Sequence, residues 1–158
     1  QVEKKQFSDW CGEKNANSAM FVIRLNNLAA PALISLDWAL LNGFLDIITG
    51  GTGTNSEISE RKEFTQIDLG LAKDVADMAI VNLNEAWAPV EPLDTQYCRT
   101  EVTRKFIGIV PSSEKVYVVS HSIEFCKIVG KFEIIYPCST LFPVRDKLFA
   151  SYVLPSPR

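Results

Sequence analysis

The order strand, strand, helix is written twice along this chain, and that repetition constrains its fold more than any other feature. "SAMFVIRLNN", "APALISLD" and "WALLNGFLDIITG" run apolar, apolar, then amphipathic; "KVYVVSHSIEF", "GKFEIIYP" and "STLFPVRDKLF" run the same way. Strands are predicted at Ala19–Leu25, Ala32–Leu36, Tyr97–Lys105, Val116–Phe125 and Lys131–Tyr136, rich in Val, Ile, Phe and Tyr and bounded by Asn, Pro, Gly and Ser. The short "CKIVGK" link predicts a hairpin turning through Gly130 between the last two. A final short helix is expected near Thr140, with Pro143 in its first turn, where a missing N–H is harmless.

Between the repeats lies one long helix, predicted over residues 66–87. Thr65 followed three residues later by Asp68 has the form of a capping box, flanked by Phe64 and Leu69 as a hydrophobic staple. Ile67, Leu71, Val75, Met78, Asn82 and Ala86 step along one face, and Pro89 blocks continuation. In the first repeat, Leu36, Leu40, Leu41, Phe44, Leu45 and Ile48 recur at helical spacing, with Ser35 as N-cap and Gly50 as stop. Only a polar, strand-like "VEKKQFSDW" precedes the first repeat, so the chain is expected to be cut just after a first long helix; the absent initiator Met points the same way, to a fragment or a processed chain.

The expected architecture is therefore one α/β domain over residues 1–158, a pseudo-twofold pair of strand-strand-helix units on an extended mixed sheet with helices packed against it. The first half runs to about residue 53, a polar linker covers about 54–64, and the second half covers about 65–158.

Composition excludes several function classes. A formal charge of -3 and a pI of about 5.2 do not suit a general nucleic-acid binder, which displaces counterions with a basic surface. No apolar run approaches a membrane span, and the polar first residues, Gln1 to Phe7, are no signal peptide. Cys11, Cys98, Cys126 and Cys138 lie far apart and are read as reduced, cytosolic thiols, and a lone His121 leaves no metal cluster. His121 shares a strand face with Tyr117, Val119, Ile123 and Phe125, which reads as a hydrogen-bonded core position rather than a catalyst. Asp74 and Asp77 near Lys73 read as a solvated helix face. Asp37 and Asp46 read as partners of neighbouring basic residues. No catalytic residue, cofactor site or metal site is called.

Gly50, Gly51 and Gly53 follow a helix instead of opening one. A phosphate cradle uses the positive N-terminal end of a helix, and no P-loop Lys follows here. One glycine suffices to stop the helix. Two more beside Thr52 make a turn with little side-chain bulk, over which another protein backbone can approach closely.

Four stretches together resemble the flagellar motor switch M family: "DIITGGTG", "EFTQIDLGLAKDVADMAIVNLNEAWAPV", "FIGIVPSSEKVYVVSHSIEF" and "FEIIYPCSTLFPVRDKLF". The last is similar to that family's closing "cYP-S-LxPlRDkL" pattern and is the most specific. The resemblance covers almost the whole chain and implies the family's middle domain, with the CheC-like fold shared with chemotaxis phosphatases. It further implies a non-enzymatic, cytoplasmic part of the rotor ring, peripheral to the inner membrane at the flagellar basal body and touching membrane only indirectly.

In that family the domain docks the switch G protein through the GGxG loop, packs against copies of itself in a ring, and transmits the signal of the phosphorylated chemotaxis response regulator. Gly50, Gly51, Thr52 and Gly53 would form the docking loop, with Thr52 where the family often has Pro, and Asp46 would supply polar rim contacts. The family's N-terminal regulator-binding segment and C-terminal domain are not in this chain. The alternatives are a phosphatase of the response regulator or a secretion-apparatus relative. Phosphatase activity needs an acid or Ser with Glu four and Asn seven residues on. Asp68 is followed by Ala72 and Val75, and Asp77 by Val81 and Asn84, so neither register completes the set.

Overall fold

The computed structural model describes residues 1–13, 18–25, 28, 30–48, 50–51 and 65–148. In chain order the elements are β1 (Val2–Gln6), α1 (Phe7–Cys11), β2 (Ser18–Leu25), β3 (Ala32–Asp37), α2 (Trp38–Ile48), α3 (Gln66–Trp87), β4 (Thr95–Glu101), β5 (Lys115–Phe125), β6 (Ile128–Pro137) and α4 (Cys138–Leu141). Short 3-10 turns follow β4 and α4, at Arg104–Phe106 and Phe142–Val144. The linker at 54–64 and the staple residue Phe64 lie outside the described residues.

The six strands form one sheet in the order β1-β5-β6-β3-β2-β4. Every pairing is antiparallel, which corrects the expectation of a mixed sheet. The physical reason is local: each repeat folds its two strands back on each other directly, with no helical crossover to make them parallel. The order is a pseudo-twofold, with β1-β5-β6 mirrored by β4-β2-β3 about the β6–β3 seam. Each half hands its outer strand to the other: β1 pairs with β5, and β4 pairs with β2.

Both faces of the sheet are covered, and the strands show it. In β2, Ala19, Phe21, Ile23 and Leu25 face one core while Met20 and Val22 face the other, so "AMFVI" is apolar without alternation. The first core takes α2 through Leu40, Leu41 and Leu45, and α3 through Ala72, Ala76, Ile80, Leu83 and Trp87. The second is closed by Phe7 and Trp10 of α1 and by Ile107.

The capping box on α3 forms as predicted. The Asp68 backbone N–H donates to Thr65 Oγ1 at 3.2 Å, and the Thr65 N–H donates to Asp68 Oδ2 at 2.9 Å. The buried face is one position away from the predicted one, however. Ala72, Ala76, Ile80, Leu83 and Trp87 are buried, whereas Ile67 and Met78 are exposed. Alanines let the helix settle close to the sheet, so contact follows the small residues and leaves the long apolar ones at the margin.

Other boundaries move as well. Ser35 does not cap α2, because β3 continues to Asp37 and Ser35 pairs with both Met20 and Glu133. The hairpin turns at Cys126 and Lys127, both in the left-handed region at φ 47° and 67°, and Gly130 lies within the ladder opposite Ile123. The strand expected at Tyr97–Lys105 begins at Thr95 and stops at Glu101, where the Arg104–Phe106 turn begins.

That turn places Arg104 at the centre of a polar pin under the second core. Its guanidinium lies 3.9 Å over the Trp10 ring, and its Nη1 donates to the Trp10 carbonyl at 2.6 Å and to Glu13 Oε2 at 3.2 Å. Trp10 Nε1 donates to Glu133 Oε2 at 3.1 Å, Ser120 Oγ donates to Glu133 Oε1 at 3.3 Å, and Arg104 stands 3.9 Å from Glu133. A buried carboxylate is thereby partnered from both halves of the chain.

Candidate functional site

Helix α2 follows directly from the end of β3 and packs across the β6–β3 seam. Its C-terminus closes as a Schellman motif. The Gly50 N–H donates to the Ile47 carbonyl at 3.0 Å and the Gly51 N–H donates to the Asp46 carbonyl at 2.7 Å. Gly50 supplies the left-handed residue, at φ +97°. Gly50 and Gly51 are exposed, and a Cβ at Gly50 would meet nothing within 4 Å.

Gly51 differs. A Cβ there would fall on the Asp46 carboxylate, closer than real Cβ contacts come. A Schellman motif commonly places an apolar contact between these two positions; here a carboxylate and a glycine take it. Asp46 is 5 % exposed, so it cannot be the polar rim contact expected of it. Its side chain is turned under the glycine turn, where a Cβ of Gly51 would stand. Thr52 and Gly53, the remaining residues of the expected loop, lie outside the described residues.

Ile48 is the residue that the periodicity hid. It falls on the helical apolar repeat, yet it is 56 % exposed beside Gly50. The signal was its place in the last turn, beyond the reach of the sheet. A bulk-free turn with one exposed aliphatic side chain at its base suits close apposition of another protein surface.

Residues that would signal chemistry are occupied elsewhere or dispersed. His121, expected in the core, is exposed, because β5 outruns the helices there; its ring tilts against Phe132 at 6.3 Å. Asp77 pairs with Lys73 at 3.3 Å on a solvated face, as expected. Asn84 Oδ1 accepts from the Thr95 N–H at 3.3 Å and from Thr95 Oγ1 at 2.6 Å, tying the end of α3 to β4. Among the described residues no group of three His, Cys, Asp or Glu side chains is placed to hold a metal ion. The four cysteines are free. No helix of the described residues is long and apolar enough to cross a membrane.

A family model described as "Flagellar motor switch protein FliM" matches residues 1–153. The FliM of Pseudomonas aeruginosa is 30 % identical over 151 residues, which is 96 % of this chain and 46 % of that protein. The chain thus spans less than half the length of that relative. Among solved structures, the FliM middle domain of Vibrio alginolyticus superposes with a TM-score of 0.81 at 23 % identity, over 93 % of this chain and 81 % of that one. A chain of the FliG–FliM complex from H. pylori superposes with a TM-score of 0.86 at 18 % identity, over 92 % and 79 %. At these identities the structural likeness is one of fold.

Proposed function

The chain belongs to the flagellar motor switch protein FliM family, and on that premise we propose that it is a non-enzymatic docking domain of the rotor. It holds a FliG-type switch protein through the turn at Gly50, Gly51, Thr52 and Gly53, and packs against copies of itself in a ring. The observation that carries this reading is the pair Gly50 and Gly51, exposed and without side chains at the end of a helix that packs on the sheet. A relative caught in a FliG–FliM complex supports the choice of partner.

A mechanical role follows from the fold. Docking at the turn loads α2, and α2 rests on the central seam, so a change of tilt in one part of the domain reaches the docked partner. The response regulator would act on the whole protein through a segment outside this chain. The domain would sit on the cytoplasmic side, peripheral to the inner membrane at the basal body.

The phosphatase reading gains nothing from the site. Asp68 is committed to the capping box and Asn84 to Thr95, so neither is free to contact a regulator or orient a water.

The test is calorimetric titration of this chain with the FliG middle domain, with Ile48→Asp alongside. Binding in about the micromolar range, weakened by the substitution, is the expected result. A cooperatively folded chain that does not bind FliG would overturn the reading.

A further inference from the structure

We propose that the end of the β5–β6 hairpin is a second contact of the docking surface, where Lys127 meets an acidic group on the docked partner. This rests on the docking reading above. Three observations carry it.

The first is position. The hairpin lies against α2: Gly130 touches Leu40, and the end of the Ile128 side chain fills the space beside Gly43. As the helix advances from Leu40 to Gly43 the strand runs out towards its turn, so both approach the same end of the domain. Gly50 follows Gly43 by about 10 Å of helical rise, and Lys127 is one Cα step of about 3.8 Å from Ile128. A stable interface covers about 800 Å² of each partner, a disc of roughly 16 Å radius, so a partner centred on Gly50 and Gly51 reaches the hairpin end.

The second is the cation itself. Lys5, Lys73, Lys131 and Lys147 each stand beside a carboxylate, and Lys4 lies over the Tyr117 ring. Lys127 is exposed and has no such partner among the described residues. The same holds for Lys105 and Lys115, but Lys105 follows the edge strand β4 and Lys115 opens β5 at its far end. That leaves Lys127 as the uncommitted lysine beside the turn, placed to favour an acidic partner surface.

The third is the backbone. Cys126 and Lys127 are both at positive φ, 47° and 67°, in a two-residue turn closed by Phe125 opposite Ile128. This form of hairpin favours Asn-Gly, and a β-carbon at both central residues strains it. A lysine thus stands where a glycine would relax the chain, as expected of a side chain that is used.

The test is calorimetric titration of the FliG middle domain into the natural chain, into Lys127→Glu, and into the double variant Cys126→Asn with Lys127→Gly. Each is measured at low and high salt and unfolded in urea. Lys127→Glu should weaken binding about tenfold, and the natural affinity should fall more steeply with salt than the variant's. The double variant should unfold at a higher urea concentration, because its turn is relaxed, yet bind about fivefold more weakly. If both variants bind as the natural chain does while Ile48→Asp weakens binding, the hairpin contact is overturned and the docking reading stands. If Lys127→Glu weakens binding and Ile48→Asp does not, the hairpin contact stands and docking is centred on it instead of the turn. A folded natural chain that does not bind overturns both.

Discussion

Gly130 and Leu40 touch with no room for a methyl group between them. A Cβ on Gly130 would lie 2.7 Å from Leu40 Cβ and 3.2 Å from its backbone nitrogen. This is where α2, from the first half of the chain, is seated on β6, from the second. Leu40 is fully buried, so it has nowhere to retreat. Gly130→Ala should cost about 1–3 kcal/mol through overpacking, read as a lower urea midpoint at unchanged slope. A midpoint equal to that of the natural chain would show that α2 slides freely on the sheet.

Arg104 should be needed for stability because of what its loss leaves behind. With its side chain 9 % exposed and that of Glu133 7 % exposed, removing the guanidinium takes a nearby positive charge from a buried carboxylate and leaves the Trp10 carbonyl without its Arg104 donor. Arg104→Met is expected to cost about 3 kcal/mol in denaturant unfolding, and Arg104→Lys, which keeps the charge, should cost less. A single variant as stable as the natural chain would make the pin ornamental.

Acid should loosen the same corner. Burial pushes the Glu13 carboxyl up, but hydrogen bonds from Lys5 and Arg104 outweigh it and hold the carboxyl below its ordinary value. The Lys5 ammonium, hydrogen-bonded to Glu13, is correspondingly raised. A carboxyl depressed in the folded state contributes stability that is fully present above its unfolded value of about 4.3 and is lost as pH falls through the folded value. Melting temperature measured from neutral pH down through the carboxylate range should therefore fall less steeply in Glu13→Gln. Parallel curves for the two chains would remove Glu13 from the account.

Ile48 separates docking from folding. It is 56 % exposed, so Ile48→Asp should change unfolding free energy by less than about 0.5 kcal/mol. The same substitution should weaken FliG binding about tenfold. A large loss of stability would mean that Ile48 is buried in solution and belongs to the core.

What could be read in the sequence follows the range of the interactions. The capping box at Thr65 and Asp68 is a three-residue matter and was legible, as were the strands whose apolar runs exceed the needs of one face. Hydrophobic size points to the wrong face of α3, because Ala72 and Ala76 set the distance of approach. Gly130 has the look of a turn residue, but Cys126 and Lys127 adopt the left-handed conformation, and Gly130 serves the close contact with Leu40. At the candidate site the glycines and their place after a helix were legible. The burial of Asp46 was not, because periodicity cannot say which side of a helix a sheet will cover. The Arg104 pin joins residues more than 90 positions apart, and no local pattern announces it.

The exchanged outer strands have a consequence for how this domain bears load. Three of the five strand pairings, β1 with β5, β3 with β6 and β2 with β4, join one half of the chain to the other. Pulling the halves apart means shearing three hydrogen-bonded ladders together, so the polypeptide link between them carries almost none of the tension. A chain nicked anywhere in residues 54–64 would stay one body, and a torque delivered at one edge of the sheet would arrive at the other undiminished by slack.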